Sequence, residues 1–149
     1  MIRDINMADL SLFSYKEAIE FILLFYTFTS CCNEDDLEQI DGIKKFIELG
    51  FAEKDKVHDS IYVLSKDGEK LLHEYIKNIS EEFIKYMKTK NFKVIYTETS
   101  NWFKEKFGLE TDDDGEDISI FICENLHNYG YVAQKVYSKR GHFIKLERV

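Results

Sequence analysis

From Tyr15 to Ser30 apolar side chains recur almost all the way round a helical turn: Ala18, Ile19, Phe21, Ile22, Leu23, Leu24, Phe25, Tyr26 and Phe28. A helix with so little polar face is predicted to be buried centrally or shared with a second subunit. Asn33-Glu34-Asp35-Asp36 then offers a polar, acidic start suited to an N-cap and first turn. Leu37, Ile40, Ile43, Phe46 and Ile47 follow at helical spacing, and Gly50 stands at the C-cap. Beyond Gly50 the period changes. Phe51-Ala52-Glu53 reads as a short extended piece, Asp55 to Asp59 as a polar turn, and Ser60 to Leu64 as a strand rich in β-formers, so the three form a predicted hairpin.

Ser65 or Asp67 is placed to cap a new helix whose apolar set is Leu71, Leu72, Tyr75, Ile76 and Ile79. The rhythm continues through Phe83 and Met87, so the pattern fits one helix from Asp67 to about Lys90 or a second one recapped at Ser80. Phe92 to Tyr96 reads as a strand. Ser100 is expected to cap a short helix carrying Trp102, Phe103 and Phe107, which Gly108 ends. The run Asp112 to Asp117 reads as a loop into another helix, with Ile118, Phe121, Ile122, Leu126 and Tyr129 on one stripe and Gly130 at its end. Tyr131 to Tyr137 and His142 to Arg148 are predicted strands joined by Ser138-Lys139-Arg140-Gly141, a hairpin turn.

The halves repeat one layout at an offset of 80 residues. Gly50-Phe51-Ala52 aligns with Gly130-Tyr131-Val132, and Ile61 to Leu64 with Gly141 to Ile144. Helix, glycine, aromatic, strand, charged turn, strand is the order of a winged helix. The stretch Leu49-Gly50-Phe51-Ala52-Glu53-Lys54, with Tyr62-Val63-Leu64-Ser65-Lys66-Asp67-Gly68-Glu69-Lys70-Leu71-Leu72, resembles bacterial winged-helix regulators of the MarR and PadR type. The second unit matches by layout alone. The first departs from the pattern: only Ser30 to Asp35 separates its two clear helices, and Met7 to Phe13 must supply the remaining short one. The expected fold is therefore α+β, mostly helical, with two winged-helix units in tandem, residues 1–80 and 81–149. The resemblance implies DNA binding in transcriptional regulation, by a homodimer.

Charge narrows this reading. The formal net charge is −8, and residues 1–80 hold 9 basic against 16 acidic side chains. Residues 81–149 hold 11 against 12, with six of the acids inside Glu110–Asp117. From Ile118 onward five basic residues face only Glu124 and Glu147. Only this C-terminal end has the footprint of a nucleic-acid binder. Lys135, Lys139, Arg140, His142 and Lys145 surround the hairpin tip, with Tyr137 and Phe143 interleaved, and Lys44 and Lys45 offer phosphate contacts on the first unit's helix. Against this, the helices preceding the two hairpins expose Asp36, Glu38, Asp41 and Glu48, and Asp117 and Glu124, which phosphates would repel. The alternative is an adaptor that binds another protein through acidic surfaces. Double-stranded DNA and a protein partner are thus the two expected partners.

Other chemistry is not supported. With Gly115 at the sixth position of a calcium loop, Phe121 falls at the twelfth, where a bidentate Glu is required. Cys123 and His127 make half a zinc site with no second pair at metal spacing. No glycine-rich elbow, phosphate loop or HExxH is present, and the four histidines are scattered. No catalytic residue, metal or cofactor is expected. The first residues lack an apolar signal core, and Ala18 to Phe28 is about half a membrane span. With Cys31, Cys32 and Cys123 as free thiols, a cytoplasmic location is expected.

Overall fold

The computed structural model describes residues 9–28, 32–33 and 40–149. The chain is α+β and mostly helical, and it divides into two compact units, Met1–Tyr75 and Ile76–Val149.

In the first unit a single 3-10 turn, Asp9–Ser11, is the described part of the expected N-terminal short helix. Helix α1 (Tyr15–Ile22) starts on a capping box: the Glu17 amide donates to Ser14 Oγ at 3.1 Å and the Ser14 amide donates to Glu17 Oε1 at 2.9 Å. It continues with π-helical spacing over Leu23–Phe28. Ala18, Ile19, Phe21 and Ile22 are fully buried, and Leu23 and Phe25 nearly so. Most of the apolar surface that motivated a second subunit is covered within the chain, while Leu24 and Tyr26 stay half-buried.

Strand β1 is Cys32–Asn33 and helix α2 is Ile43–Glu48. The expected helix from Leu37 is shorter than its apolar spacing implied. Its first residues, with the acidic N-cap at 34–36, lie outside the described residues, and Gly42, at φ 79°, bars helical geometry just before Ile43. Gly50 (φ 85°) then turns the chain into the hairpin of β2 (Ala52–Lys54) and β3 (Ile61–Leu64). The sheet order is β1-β3-β2, all antiparallel. Its core is aromatic: Phe46 lies 4.4 Å from Phe21, 5.4 Å from Phe51 and 5.6 Å from Phe13, centroid to centroid.

Helix α3 runs unbroken from Lys66 to Thr89. Ser65 is its cap, accepting from the Gly68 amide at 3.1 Å. Ser80 does not recap a second helix; it is fully buried in the middle of the apolar stripe, its Oγ unbonded among the described residues. Upstream, the Tyr75 hydroxyl is shared between the carbonyls of Leu10 (2.8 Å) and Phe13 (2.9 Å), tying the 3-10 turn to α3. Burial pushes this phenol up to about 12. Tyr75→Phe should cost about 1–2 kcal/mol, because a buried donor is lost and two carbonyls are left short. Urea unfolding of the two proteins measures it; equal midpoints would mean that water replaces the hydroxyl.

In the second unit β4 is Lys93–Ile95, and α4 follows at once, Tyr96–Phe107, ended by Gly108 at φ 68°. The helix therefore starts four residues before Ser100, whose Oγ is buried inside it rather than capping it. The acidic run is not a loop either. Thr111 accepts from the Asp114 amide at 3.1 Å, and Asp112, Asp113 and Asp114 form the first turn of α5 (Asp112–Asn125). Acids there complement the helix dipole. Gly115 lets α5 approach α4, since a Cβ at this position would sit 2.7 Å from the Ser100 carbonyl oxygen. A 3-10 turn, Leu126–Tyr129, leads to Gly130 (φ 87°) and the long hairpin of β5 (Tyr131–Ser138) and β6 (Gly141–Arg148). Sheet order is β4-β6-β5, so both sheets place their third strand between the first and second. No described helix is long and apolar enough to cross a membrane.

Candidate nucleic-acid interface

The register of the second sheet decides which candidate side chains share a face. Tyr131, Ala133, Lys135 and Tyr137 pair across the hairpin with Arg148, Leu146, Ile144 and His142. Ile144 and Leu146 are buried, so this face is turned toward the unit's core, and the hairpin tip projects beyond it. The opposite face carries Val132, Gln134 and Val136 with Glu147, Lys145 and Phe143, and Lys93 and Ile95 extend it through β4.

The tip itself is a two-residue loop, Lys139-Arg140, closed by the Ser138–Gly141 pair. Neither loop residue has a positive φ; Gly141, at φ 128°, absorbs the twist that a primed turn would place in the loop. The Ser138 hydroxyl accepts from the Arg140 amide at 3.2 Å and fixes the turn locally. Lys139 and Arg140 are exposed, and neither side chain is in an ion pair among the described residues.

Behind the tip, Tyr137 is 66% exposed, and its ring meets that of His142 edge to face at 4.5 Å. Lys135 lies next on the same face, its Nζ 5.4 Å from the Tyr96 ring centroid. The Tyr96 hydroxyl meets Glu116 Oε1 at 3.2 Å. Burial, then Glu116, then Cys123 and Tyr137 all raise the Tyr96 phenol. Tyr96, Lys135, Cys123, Glu124 and Gln134 line a small cleft of about 120 Å³. Burial pushes the Cys123 thiol up to about 12, so at neutral pH it is a thiol, not a thiolate nucleophile.

The other candidates are placed differently. Lys145 is on the opposite face, 3.2 Å from Glu147, so much of its charge is answered locally. Lys44 and Lys45 belong to the first unit. Lys44 is exposed, whereas Lys45 donates to the Leu12 carbonyl at 2.6 Å and lies 5.1 Å above the Phe13 ring, a structural contact. Lys135, Lys139, Arg140 and His142 are therefore brought together, and Lys145 and Lys45 are not. Sequence reasoning missed Tyr96, because its approach to Lys135 depends on pairing between β4, β6 and β5.

Helix α5 presents Asp113, Glu116 and Glu124 to solvent. Asp112 pairs with Lys104 at 2.9 Å. Asp117 is raised from the usual carboxylate range by burial first, and then by Asp113, Asp114 and Glu116, a mark of crowded negative charge. Among the described residues no three metal-ligating side chains are grouped. No family model, curated protein or solved structure matches this chain. What the hairpin does is therefore read from its own residues.

Proposed function

We propose that both units are winged helices and that the protein binds nucleic acid through its C-terminal hairpin, as a non-catalytic factor in transcriptional regulation acting in the cytoplasm. The observation that carries the reading is the tip: two adjacent exposed cations, Lys139 and Arg140, without an acidic partner among the described residues, at the end of a ribbon of two eight-residue strands. The order helix, strand, two helices, two strands, with the last strand central in the sheet, supports the winged-helix assignment of the second unit. Phosphate contacts by such a wing release counterions and need no base reading.

Helix α5, which would enter the major groove in a groove-reading winged helix, carries acids on its exposed side. The hairpin, not the helix, is the leading contact in this reading. That same acidic face favours a second reading, in which α5 docks on a basic protein surface and no nucleic acid is involved.

Fluorescence anisotropy on a labelled duplex separates the two. With Lys135, Lys139 and Arg140 as the cations that the hairpin tip brings together, log K should fall against log salt with a slope of about −2 to −4. The double reversal Lys139→Glu, Arg140→Glu should reduce affinity at least about tenfold without changing the circular dichroism, since exposed turn positions tolerate substitution. No binding of the duplex or of a single strand at low salt, where the electrostatic attraction is greatest, would leave the protein-binding reading standing.

A further inference from the structure

The tip does more than carry charge. Tyr137 and His142 form an exposed aromatic pair directly behind Lys139 and Arg140, and Lys135 and Tyr96 extend the same face. We infer that this face is a platform for single-stranded nucleic acid, on which unpaired bases stack against Tyr137 and His142 while the backbone follows Lys135, Lys139 and Arg140. This rests on the nucleic-acid reading above and names the form of nucleic acid it takes.

Exposure gives the first argument. A tyrosine left 66% exposed at a hairpin end gains little from packing, and its ring offers a face to a planar ligand. The edge-to-face contact with His142 at 4.5 Å holds that ring in place before any ligand arrives. Stacking of bases on aromatic side chains, next to cations that track the backbone, is the general basis of single-strand recognition. Bases in a duplex have no free face to give.

Charge gives the second argument. Glu116, bound to the Tyr96 hydroxyl, and Glu124, at the cleft, border the platform on the side of α5. A duplex seated on the hairpin brings a second phosphate backbone toward this acidic side, where it is repelled. A single strand has one backbone, which stays on the cationic side while its bases turn inward. The acids beside Lys135 thus weigh on the single strand's one backbone less than on the two of a duplex, and this difference supplies the preference.

The test uses the full chain and fluorescein-labelled oligodeoxythymidine of about 12 nucleotides, within the span that one single-strand site occupies. A duplex of equal length serves as comparison, at low salt. The single strand should bind about tenfold more tightly than the duplex. Tyr137→Leu should lower single-strand affinity roughly fivefold to a hundredfold, the range for losing one base–aromatic stack, and change duplex affinity less than about twofold. Tyr137→Phe keeps the ring and should retain single-strand binding, which separates stacking from a hydrogen bond made by the hydroxyl. Equal affinity for both forms, with Tyr137→Leu silent, overturns the platform but leaves hairpin binding of nucleic acid intact. Failure to bind either form overturns both and returns the surface to a protein partner.

Discussion

Phe46→Ala is expected to destabilise the first unit by about 3–5 kcal/mol, the usual loss for a buried aromatic ring cut back to a methyl group. Phe46 has no exposed surface, and four rings surround it: Phe21, Phe51, Phe13 and Phe25, at centroid distances of 4.4, 5.4, 5.6 and 6.0 Å. These partners come from the entry turn, α1, its π-helical extension and the start of the hairpin, so no single element can collapse into the space left behind. Ring-to-ring contacts add to the burial energy. A small domain is stable by only about 5–15 kcal/mol, so the loss is a large share of the whole. Thermal unfolding followed by far-UV circular dichroism should show a midpoint lower by about 15 °C or more. Tryptophan emission should shift less, because Trp102 packs against Tyr86, Phe83 and Phe103 in the second unit. Phe46→Leu keeps most of the volume and should recover more than half of the loss. An alanine variant within about 1 kcal/mol of the parent would contradict close packing of this cluster.

What the sequence made legible was punctuation and period. Gly50 and Gly130 were placed at matching turns by a layout offset of 80 residues, and both adopt the left-handed backbone, at φ 85° and 87°, that makes glycine the favoured residue there. Both hairpins follow those turns. Element starts were less legible. Ser100 has the chemistry of a cap, but Tyr96 to Thr99 had already entered the helix directly from β4, so the polar residue fell inside it. The acids of Asp112 to Asp117 looked like a solvated loop, yet Thr111 caps the helix and puts them in its first turns, where negative charge is stabilising. In the first unit, helical spacing continued back through Ile40, and Gly42 interrupted it with a backbone angle that periodicity does not register.

The candidate interface was legible as composition and not as geometry. A count of cations around the tip treats Lys135 and Lys145 alike. In a strand, side-chain direction alternates with position, and these two stand ten positions apart with the turn between them. The register Gln134↔Lys145 and Lys135↔Ile144 puts them on opposite faces, one beside Tyr96 and the other beside Glu147. Lys45 illustrates the same gap. Nothing local marks it as engaged, and its partner, the Leu12 carbonyl, is 33 residues away. Charge clusters on hairpins therefore over-count the free cations until pairing is known, and the salt slope expected of this protein falls with the corrected count.

Gly68→Ala is expected to destabilise by about 3 kcal/mol, although alanine is the better helix former by about 1 kcal/mol at an unconstrained interior site. Gly68 is buried in the first turn of α3 with no unusual backbone angle, so its conformation alone does not require glycine. Space does. A Cβ there would overlap the Phe51 carbonyl oxygen and sit 2.8 Å from its carbonyl carbon, with Leu64 Cδ2 at 3.2 Å. A flexible side chain could swing away from such a contact, but this one is backbone, held from both sides. The Phe51 carbonyl accepts from the Ser65 amide at 3.0 Å, and the Phe51 ring is fully buried against Phe46. Moving Phe51 strains the ring cluster, and moving α3 breaks the Ser65 cap that accepts from the Gly68 amide. This close approach is the physical reason for the glycine in the stretch Ser65-Lys66-Asp67-Gly68, which a resemblance of motif marks without explaining. The control is Lys70→Ala, exposed in the same helix, which should change stability by less than about 0.5 kcal/mol. Urea unfolding of the three proteins settles the sign: if Gly68→Ala matches or exceeds the parent, α3 does not begin against the Phe51 carbonyl.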